Sequence, residues 1–180
     1  MTNNIESFET ARLRADRIAE LHYPTLQKHW SHEQVMSHLG GPRSEEKMRS
    51  SFQAALDHWT QFGFGRWVWR ETNSGKFVGL AGFRCITLDG WPEISLGCGL
   101  QPEFWGQGYA TELTRNLTAL AFERLGMESI IGLAVPENLA SRRVMEKIGM
   151  HYNRETTYDN LPHVLYEITH AQWTETHLTN

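Results

Sequence analysis

The sequence lacks several features that would place it in a simple class. Its 180 residues carry 17 basic and 21 acidic side chains, a formal net charge of -4. General nucleic-acid binders show a basic excess instead. No apolar run approaches the roughly 20 residues that a membrane-spanning helix needs, and the first residues lack the apolar centre of a secretory signal. We therefore expect a cytoplasmic protein that binds neither nucleic acid nor membrane.

Cysteine is also scarce. Only Cys85 and Cys98 occur, and neither lies in a CxxC or Cys/His spacing typical of a metal site. Both fall in apolar runs, which favours buried free thiols over a disulfide. We expect no metal site and a reducing compartment.

The chain instead has the pattern of one mixed domain. Its length and its 40% hydrophobic residues suit a single domain with a substantial core, residues 1–180, and no Pro/Gly/Ser-rich linker divides it. Helical patterns come first, and Pro24 should break or kink the earliest. An antiparallel meander follows, then a strand–helix–strand unit with helices expected over about 107–125 and 139–148. This order predicts an α/β (α+β) domain with one central sheet.

A glycine-containing turn precedes the first of these later helices, in the segment PEFWGQGYATEL. Backbone N–H groups at a helix start bind anions, and glycine permits the positive φ of a tight turn. The Lys-Ser/Thr pair of a P-loop does not follow Gly108, and the GxGxxG spacing of a Rossmann site is absent. On its own, the segment is either a plain turn or an anion site.

A second segment, VPENLASRRVMEKIGM, follows the next strand. Asn138 is a good helix cap, Ser141 lies one turn into the helix, and Gly149 can end it. As structure alone, this is a well-capped helix.

Together, WGQGYATEL and ENLASRRVMEKIGM resemble the acetyl-coenzyme A segments of the GNAT superfamily of N-acetyltransferases. The opening FETARLRA resembles the first strand of the RimJ/RimL-like branch. The resemblance covers about residues 8–170, the expected core of the domain. It implies a mixed, mostly antiparallel sheet of about seven strands, flanked by helices and splayed at the fourth strand, and it allows a homodimer.

The resemblance also implies which residues hold acetyl-CoA or coenzyme A. A backbone N–H near Leu100 would polarise the thioester carbonyl, and Gly97 and Gly99 suit a bulge in that strand. Asn138 and Ser141 would contact the pantetheine arm and the departing sulfur. The pyrophosphate would lie mostly on backbone N–H groups of the loop formed by Trp105, Gly106, Gln107, Gly108, Tyr109 and Ala110.

The reaction implied is direct attack of a primary amine on the acetyl group, the acceptor being a protein N-terminal amine or a small-molecule amine. Many relatives carry Glu where Ser95 stands, and some carry a Tyr acid where Met145 stands. Glu93, on the same strand face as Ser95, is then the candidate base, acting through water. Ser141 is the candidate contact or acid for the thiolate, and His163 is an alternative base. The absence of that Glu keeps a second hypothesis open, a non-catalytic acetyl-CoA sensor or scaffold.

Overall fold

The computed structural model describes residues 5–178, and these contain one mixed sheet. Its strands are β1 (Ser7–Glu9), β2 (Leu13–Arg17), β3 (Arg66–Glu71), β4 (Phe77–Leu88), β5 (Trp91–Leu100), β6 (Ser129–Ala134), β7 (His151–Tyr158) and β8 (Leu161–Thr169). They lie in the order β1-β2-β3-β4-β5-β6-β8-β7. Neighbours are antiparallel except β5 and β6, which are parallel. The expected fold class is confirmed, with eight strands rather than about seven, because β1 is too short to show an alternating pattern.

The α-helices of the described region are α1 (Tyr23–Ser31), α2 (Glu33–Met36), α3 (Glu45–Phe62), α4 (Tyr109–Ala119), α5 (Leu139–Lys147) and α6 (His170–Leu178). Local signals account for their ends. The Ser44 hydroxyl accepts the N–H of Lys47 and caps α3, and Gly63 ends that helix at φ 72°. No helix within residues 5–178 is long and apolar enough to cross a membrane.

Two sequence-based helix boundaries need correction. Pro24 lies in the first turn of α1 and begins the helix rather than breaking it, because no intrahelical hydrogen bond is lost there. The helix expected from residue 107 begins at Tyr109, because Gly108 is left-handed at φ 81°. It continues beyond Ala119 as a π-helical turn, Leu120–Arg124.

The core is built around β3, which is covered on both faces. Trp67, Val68 and Trp69 are consecutive and fully buried, so side chains pointing to opposite faces are all shielded from water. Both indole N–H groups find acceptors: that of Trp67 donates to the Ile5 carbonyl at 3.1 Å and that of Trp69 to the Ala81 carbonyl at 3.3 Å. These bonds satisfy the polar atoms that burial would otherwise leave unpaired.

The sheet splays between β5 and β6. The two strands pair through one bridge, Ser95 to Ile131, whereas β5 stays in register with β4 as far as Leu100. The bulge expected at Gly97 and Gly99 is therefore not formed against β4. Gly97 leaves that face of β5 open instead, while His29 and Leu39 lie within 4 Å of a Cβ on Gly99.

The backbones of β4 and β5 approach each other closely at Gly79, the β4 residue paired with Leu100. This approach explains why that position is a glycine. A Cβ there would contact the Gly99 carbonyl oxygen and the Leu100 Cα, both backbone atoms that cannot move aside cheaply. A Cβ on Gly97 would meet no atom within 4 Å. The same substitution should therefore have different effects at the two positions.

We predict that Gly79→Ala lowers the free energy of unfolding by about 2 kcal/mol, the usual scale for an overpacked site. Gly97→Ala, the matched control, should change it by less than about 0.5 kcal/mol. Urea unfolding followed by circular dichroism measures both. Equal midpoints for Gly79→Ala and the unsubstituted protein would contradict the close approach of β4 and β5.

Candidate active site

Two helix starts lie at the same end of the sheet, on either side of the splay. Helix α4 follows β5 after a short loop, and α5 follows β6. Because β5 and β6 are parallel, their carboxyl ends point the same way, and α4 also contacts α5. In α/β sheets, ligands bind outside the carboxyl ends of such strands. The two segments expected to hold coenzyme A therefore border one opening.

The loop before α4 has the geometry of an anion cradle. Gly106 and Gly108 have φ values of 73° and 81°, conformations that favour glycine. A Cβ on Gly106 would meet nothing within 4 Å, so a ligand can approach the backbone closely. Trp105 is half-exposed, and its indole N–H donates to the Leu100 carbonyl at 2.9 Å, which ties the loop to the end of β5.

Backbone donors without a backbone acceptor lie at the start of α4 and at the end of β5. The first helical N–H of α4 to find an acceptor is that of Glu112, bonded to the Gly108 carbonyl at 3.0 Å, so the N–H groups of residues 109–111 remain free for a ligand. In β5, the N–H of Gln101 donates to the Val78 carbonyl of β4. Because donors alternate along an antiparallel strand, the Leu100 N–H points to the other edge, into the splay.

Arg12 holds this loop and was missed by the sequence reasoning. Its Nε contacts the Glu112 carboxylate at 2.6 Å, and its Nη1 donates to the Gln107 carbonyl at 3.0 Å. Its guanidinium lies 4.0 Å from the centre of the Tyr109 ring. The Tyr109 hydroxyl in turn donates to Glu71 of β3. Arg12 thus links the turn between β1 and β2 to the start of α4.

The start of α5 supplies the second side of the opening. The Asn138 side-chain oxygen accepts the N–H of Ser141 at 3.1 Å, so Asn138 is the helix cap that the sequence predicts. Ser141 is half-buried on the first turn. Met145, one turn later on the same helix face, is buried against Gly132 of β6. An apolar thioether therefore occupies position 145, for which the resemblance implies a Tyr acid in some relatives.

Glu93 lies at the far end of β5 from the splay. It is half-buried on the face of Ser95, about 7 Å further along the strand. Burial, and then the nearby Glu167, raise the pKa of its carboxyl, while Arg154 lowers it. A raised pKa suits a base, and the distance calls for water between Glu93 and an amine at the splay.

His163 lies at the rim of the same face. Its Nδ1 is 2.9 Å from the Leu161 carbonyl, and its ring meets Tyr158 edge-on at 5.9 Å between ring centres. With Pro136 and Thr156 it lines a shallow surface groove. The structure thus places Glu93 and His163 on the sheet face of Ser95, which is called the acceptor face below, and Glu93 lies seven residues before Leu100 in β5.

His29 of α1 is a further residue that the sequence reasoning missed. It is buried, its Nδ1 lies 2.8 Å from the Gln101 amide nitrogen, and its Nε2 would lie 3.3 Å from a Cβ on Gly99. Burial lowers the pKa of its imidazole to about 4, and Arg66 and Arg43 add to the effect. His29 is therefore neutral at pH 7.

Neither cysteine is poised to react. Both thiols are free, as expected. Burial raises the pKa of the Cys98 thiol to about 11, and it also raises the pKa of Cys85. A protonated thiol is a weak nucleophile. Within residues 5–178, no group of three or more His, Cys, Asp and Glu side chains is arranged to hold a metal ion.

Comparison with known proteins gives a family match over most of the chain. Residues 12–151 match the family model described as acetyltransferase (GNAT) domain. YkkB, an uncharacterized protein of Bacillus subtilis (strain 168), is 28% identical over 133 residues, which cover 74% of this chain and 77% of that protein.

A named enzyme and a solved structure are also similar. The FsC-acetyl coenzyme A-N(2)-transacetylase of Aspergillus fumigatus is 34% identical over 125 residues, covering 62% of this chain and 52% of the relative, about half its length. The crystal structure of the acetyltransferase from Agrobacterium tumefaciens str. C58 matches with a TM-score of 0.81 at 24% identity, covering 91% of this chain and 94% of that one. At 24% identity, this structural similarity shows the fold alone.

The buried His29 predicts a loss of stability in mild acid. Its pKa is lowered in the folded state from 6.5 to about 4, so between these values the unfolded chain binds the extra proton and stability falls as pH falls. We expect His29 to account for a loss of about 2 kcal/mol between pH 7 and pH 5. Urea unfolding at both pH values should show a smaller loss for His29→Gln than for the unsubstituted protein. His38→Gln, at an exposed site, controls for removal of an imidazole, and parallel pH curves for His29→Gln and the parent would refute this assignment.

Proposed function

Because the chain belongs to the GNAT family of acetyltransferases and is thus an acetyl-CoA-dependent N-acetyltransferase, we propose that it transfers an acetyl group directly to a primary amine. The observation that carries this proposal is the opening at the splay. There the amides of residues 109–111 and the Leu100 N–H have no backbone acceptor. The acceptor is a protein N-terminal amine or a small-molecule amine.

The donor half of the proposal assigns each contact to this chain's own groups. The loop with Gly106 and Gly108 and the start of α4 would hold the pyrophosphate through backbone N–H groups, since the partial positive charge of a helix start favours anions. Asn138 and Ser141 would contact the pantetheine arm from the start of α5. Bound acetyl-CoA supplies the thioester carbonyl that the amine attacks.

Leu100 would act on the developing charge. Its N–H has no strand partner at the splay, and a fixed donor of this kind stabilises an oxyanion. The Ser141 hydroxyl would hydrogen-bond to the departing sulfur. A serine hydroxyl is a weak acid, so this contact would stabilise the thiolate rather than protonate it fully.

Proton removal from the amine is assigned to Glu93 acting through water. Its half-buried position and raised pKa support this role. His163 is the alternative base at the rim of the face. Direct transfer, rather than transfer through an acetylated cysteine, is supported by the pKa of about 11 at Cys98.

The proposed family branch and the proposed acceptor each rest on one particular similarity. The RimJ/RimL-like branch is proposed from the opening FETARLRA, whose Arg12 grips the α4 loop. The name of the Aspergillus fumigatus relative, an acetyl coenzyme A transacetylase acting at an N(2) position, supports a nitrogen acceptor. A cytoplasmic location and a homodimer belong to the same proposal.

Coenzyme binding should depend on Arg12. We expect coenzyme A to stabilise the protein against heat, because it binds the folded state preferentially. Arg12→Gln frees the loop and should raise the Kd for coenzyme A roughly 3- to 10-fold. Isothermal titration calorimetry measures this, with Arg14→Gln, an exposed position of β2, as the control. Absence of any thermal shift at millimolar coenzyme A would reject the donor assignment.

Catalysis should depend on Glu93. Thiol release from acetyl-CoA with a panel of amines and N-terminal peptides tests the transferase itself, and background rates throughout would favour the sensor or scaffold. With an active acceptor, Glu93→Gln should lower kcat about 100-fold and remove the acidic limb of the pH–rate profile.

A matched variant sharpens the test of Glu93. Glu167 raises the pKa of Glu93, so Glu167→Gln should move the acidic limb to lower pH and preserve the rate at its plateau. Coenzyme binding should persist in both variants. An unchanged pH–rate profile in Glu93→Gln would exclude Glu93 as the base.

A further inference from the structure

Three strands place two arginines over a row of glycines on the acceptor face. Arg66 of β3 is opposite Gly82 of β4, which is opposite Gly97 of β5. Arg84 is opposite Ser95 in the same way. Directly opposed residues of antiparallel strands share a face. The two arginines therefore lie beside Ser95, over a floor where Gly82 and Gly97 contribute no side chain.

The space above Gly97 is open, whereas the backbones of Gly65 and Arg66 lie close to Gly82. A Cβ on Gly97 would meet no atom within 4 Å. The wall on one side is α1, whose His29 lies near Gly99. Arg43, in the segment between α2 and α3, extends the wall: its N–H donates to the Trp30 carbonyl at 3.0 Å, and its guanidinium lies 5.2 Å from the centre of the Trp30 ring. Arg43, Arg66 and Arg84 are called the arginine cluster below.

The arginine cluster has no counter-charge in contact with it. The five ion pairs found in residues 5–178 involve other arginines. Asp159, in the turn between β7 and β8, is the acid whose charge acts on Arg43, but its distance exceeds that of an ion pair. Tyr158, the last residue of β7, acts on Arg66. A net charge of -4 for the whole chain makes this local excess of positive charge more unusual.

Such an arrangement is unfavourable without an anion. All three arginines are half-buried, and like charges in a partly desolvated space repel. Burial, and then Arg84 and Arg43, hold the pKa of Arg66 well below its ordinary value. The planar fork of a guanidinium matches a carboxylate or phosphate, and such pairs are the stronger hydrogen bonds of proteins. A bound oxyanion would offset the repulsion among the three guanidinium groups.

We propose that the acceptor amine carries an oxyanionic group, a carboxylate or a phosphate, which the arginine cluster binds. This inference rests on the proposed function and names the acceptor class of the same site. Gly97 and Leu100 are three residues apart, about 10 Å along β5. The side chain of an arginine spans part of the distance between Gly97 and Leu100. The inferred acceptor therefore has only a few bonds between its amine and its anionic group.

Matched amines test the charge preference. With saturating acetyl-CoA, thiol release is compared for 3-aminopropanoate and 3-aminopropanol, for O-phosphoethanolamine and ethanolamine, and for spermidine. A peptide pair with Asp or Asn at its second residue distinguishes a peptide source from a small molecule. The anionic member of at least one pair should have the higher kcat/KM, by about 10-fold or more. Preference for the neutral or cationic amines would overturn the inference.

Arg84 provides the decisive variant. Arg84→Gln should lower kcat/KM for the preferred anionic amine about 10- to 100-fold, mainly through KM, and leave its neutral counterpart within about 3-fold. Arg84→Lys should recover part of the loss, since it restores the charge without the fork. Arg49→Gln, at an exposed position of α3, is the control. Equal losses on both members of a pair would show a merely structural role and overturn the proposal.

A binding measurement separates this inference from the transferase itself. With saturating coenzyme A filling the donor site, succinate and inorganic phosphate should raise Tm in the unsubstituted protein and much less in Arg84→Gln. Acetylation of amines without charge preference, together with no shift by these anions, would overturn the anion site and leave the transferase standing. A shift without any amine turnover would support the anion site while the proposed function fails.

Discussion

The separation of β5 from β6 is the constraint on which the rest of this structure depends. One bridge, Ser95 to Ile131, joins two parallel strands that diverge beyond it. A strand edge normally satisfies its backbone groups with a neighbour, but here the Leu100 amide faces a gap. Because the strands are parallel, the helices that follow them, α4 and α5, begin on either side of that gap. The splay therefore leaves an edge amide without a strand partner and places two helix starts at the same end of the sheet.

The acceptor face depends on the same strand in a different way. Gly82 of β4 and Gly97 of β5 place no side chains on the sheet surface beside Ser95. Arginines from β3, β4 and the segment after α2 surround this surface. Burial is the main cause of the low pKa that keeps His29 neutral, and the positive charge of Arg66 and Arg43 adds to it. An acidic chain has thus concentrated unpaired basic groups at one place, and the chemistry of guanidinium makes an oxyanion the complementary partner.

Local signals in the sequence predicted several helix caps and turns well, because each one acts within a single turn. Ser44 and Asn138 cap helices as their positions indicate, and the glycines before α4 adopt positive φ. The acceptor side was not predictable in this way. Whether Arg66 and Arg84 share a face with Gly97 depends on the register of three strands, and a shift of one residue reverses every side chain. Likewise, Pro24 is compatible with a break or a start, and only the path of the preceding chain decides between them.

The central claim is that the donor lies at the splay, held by the start of α4 and the free edge of β5. Backbone amide NMR of the 20.8 kDa protein titrated with coenzyme A tests it most directly. The account predicts that the largest shifts occur at Gly106, Gly108 and Leu100, with a second group around Ser141, while the amides of β1 and β7 change little. Shifts confined to other parts of the sheet, with Leu100 unaffected, would contradict it.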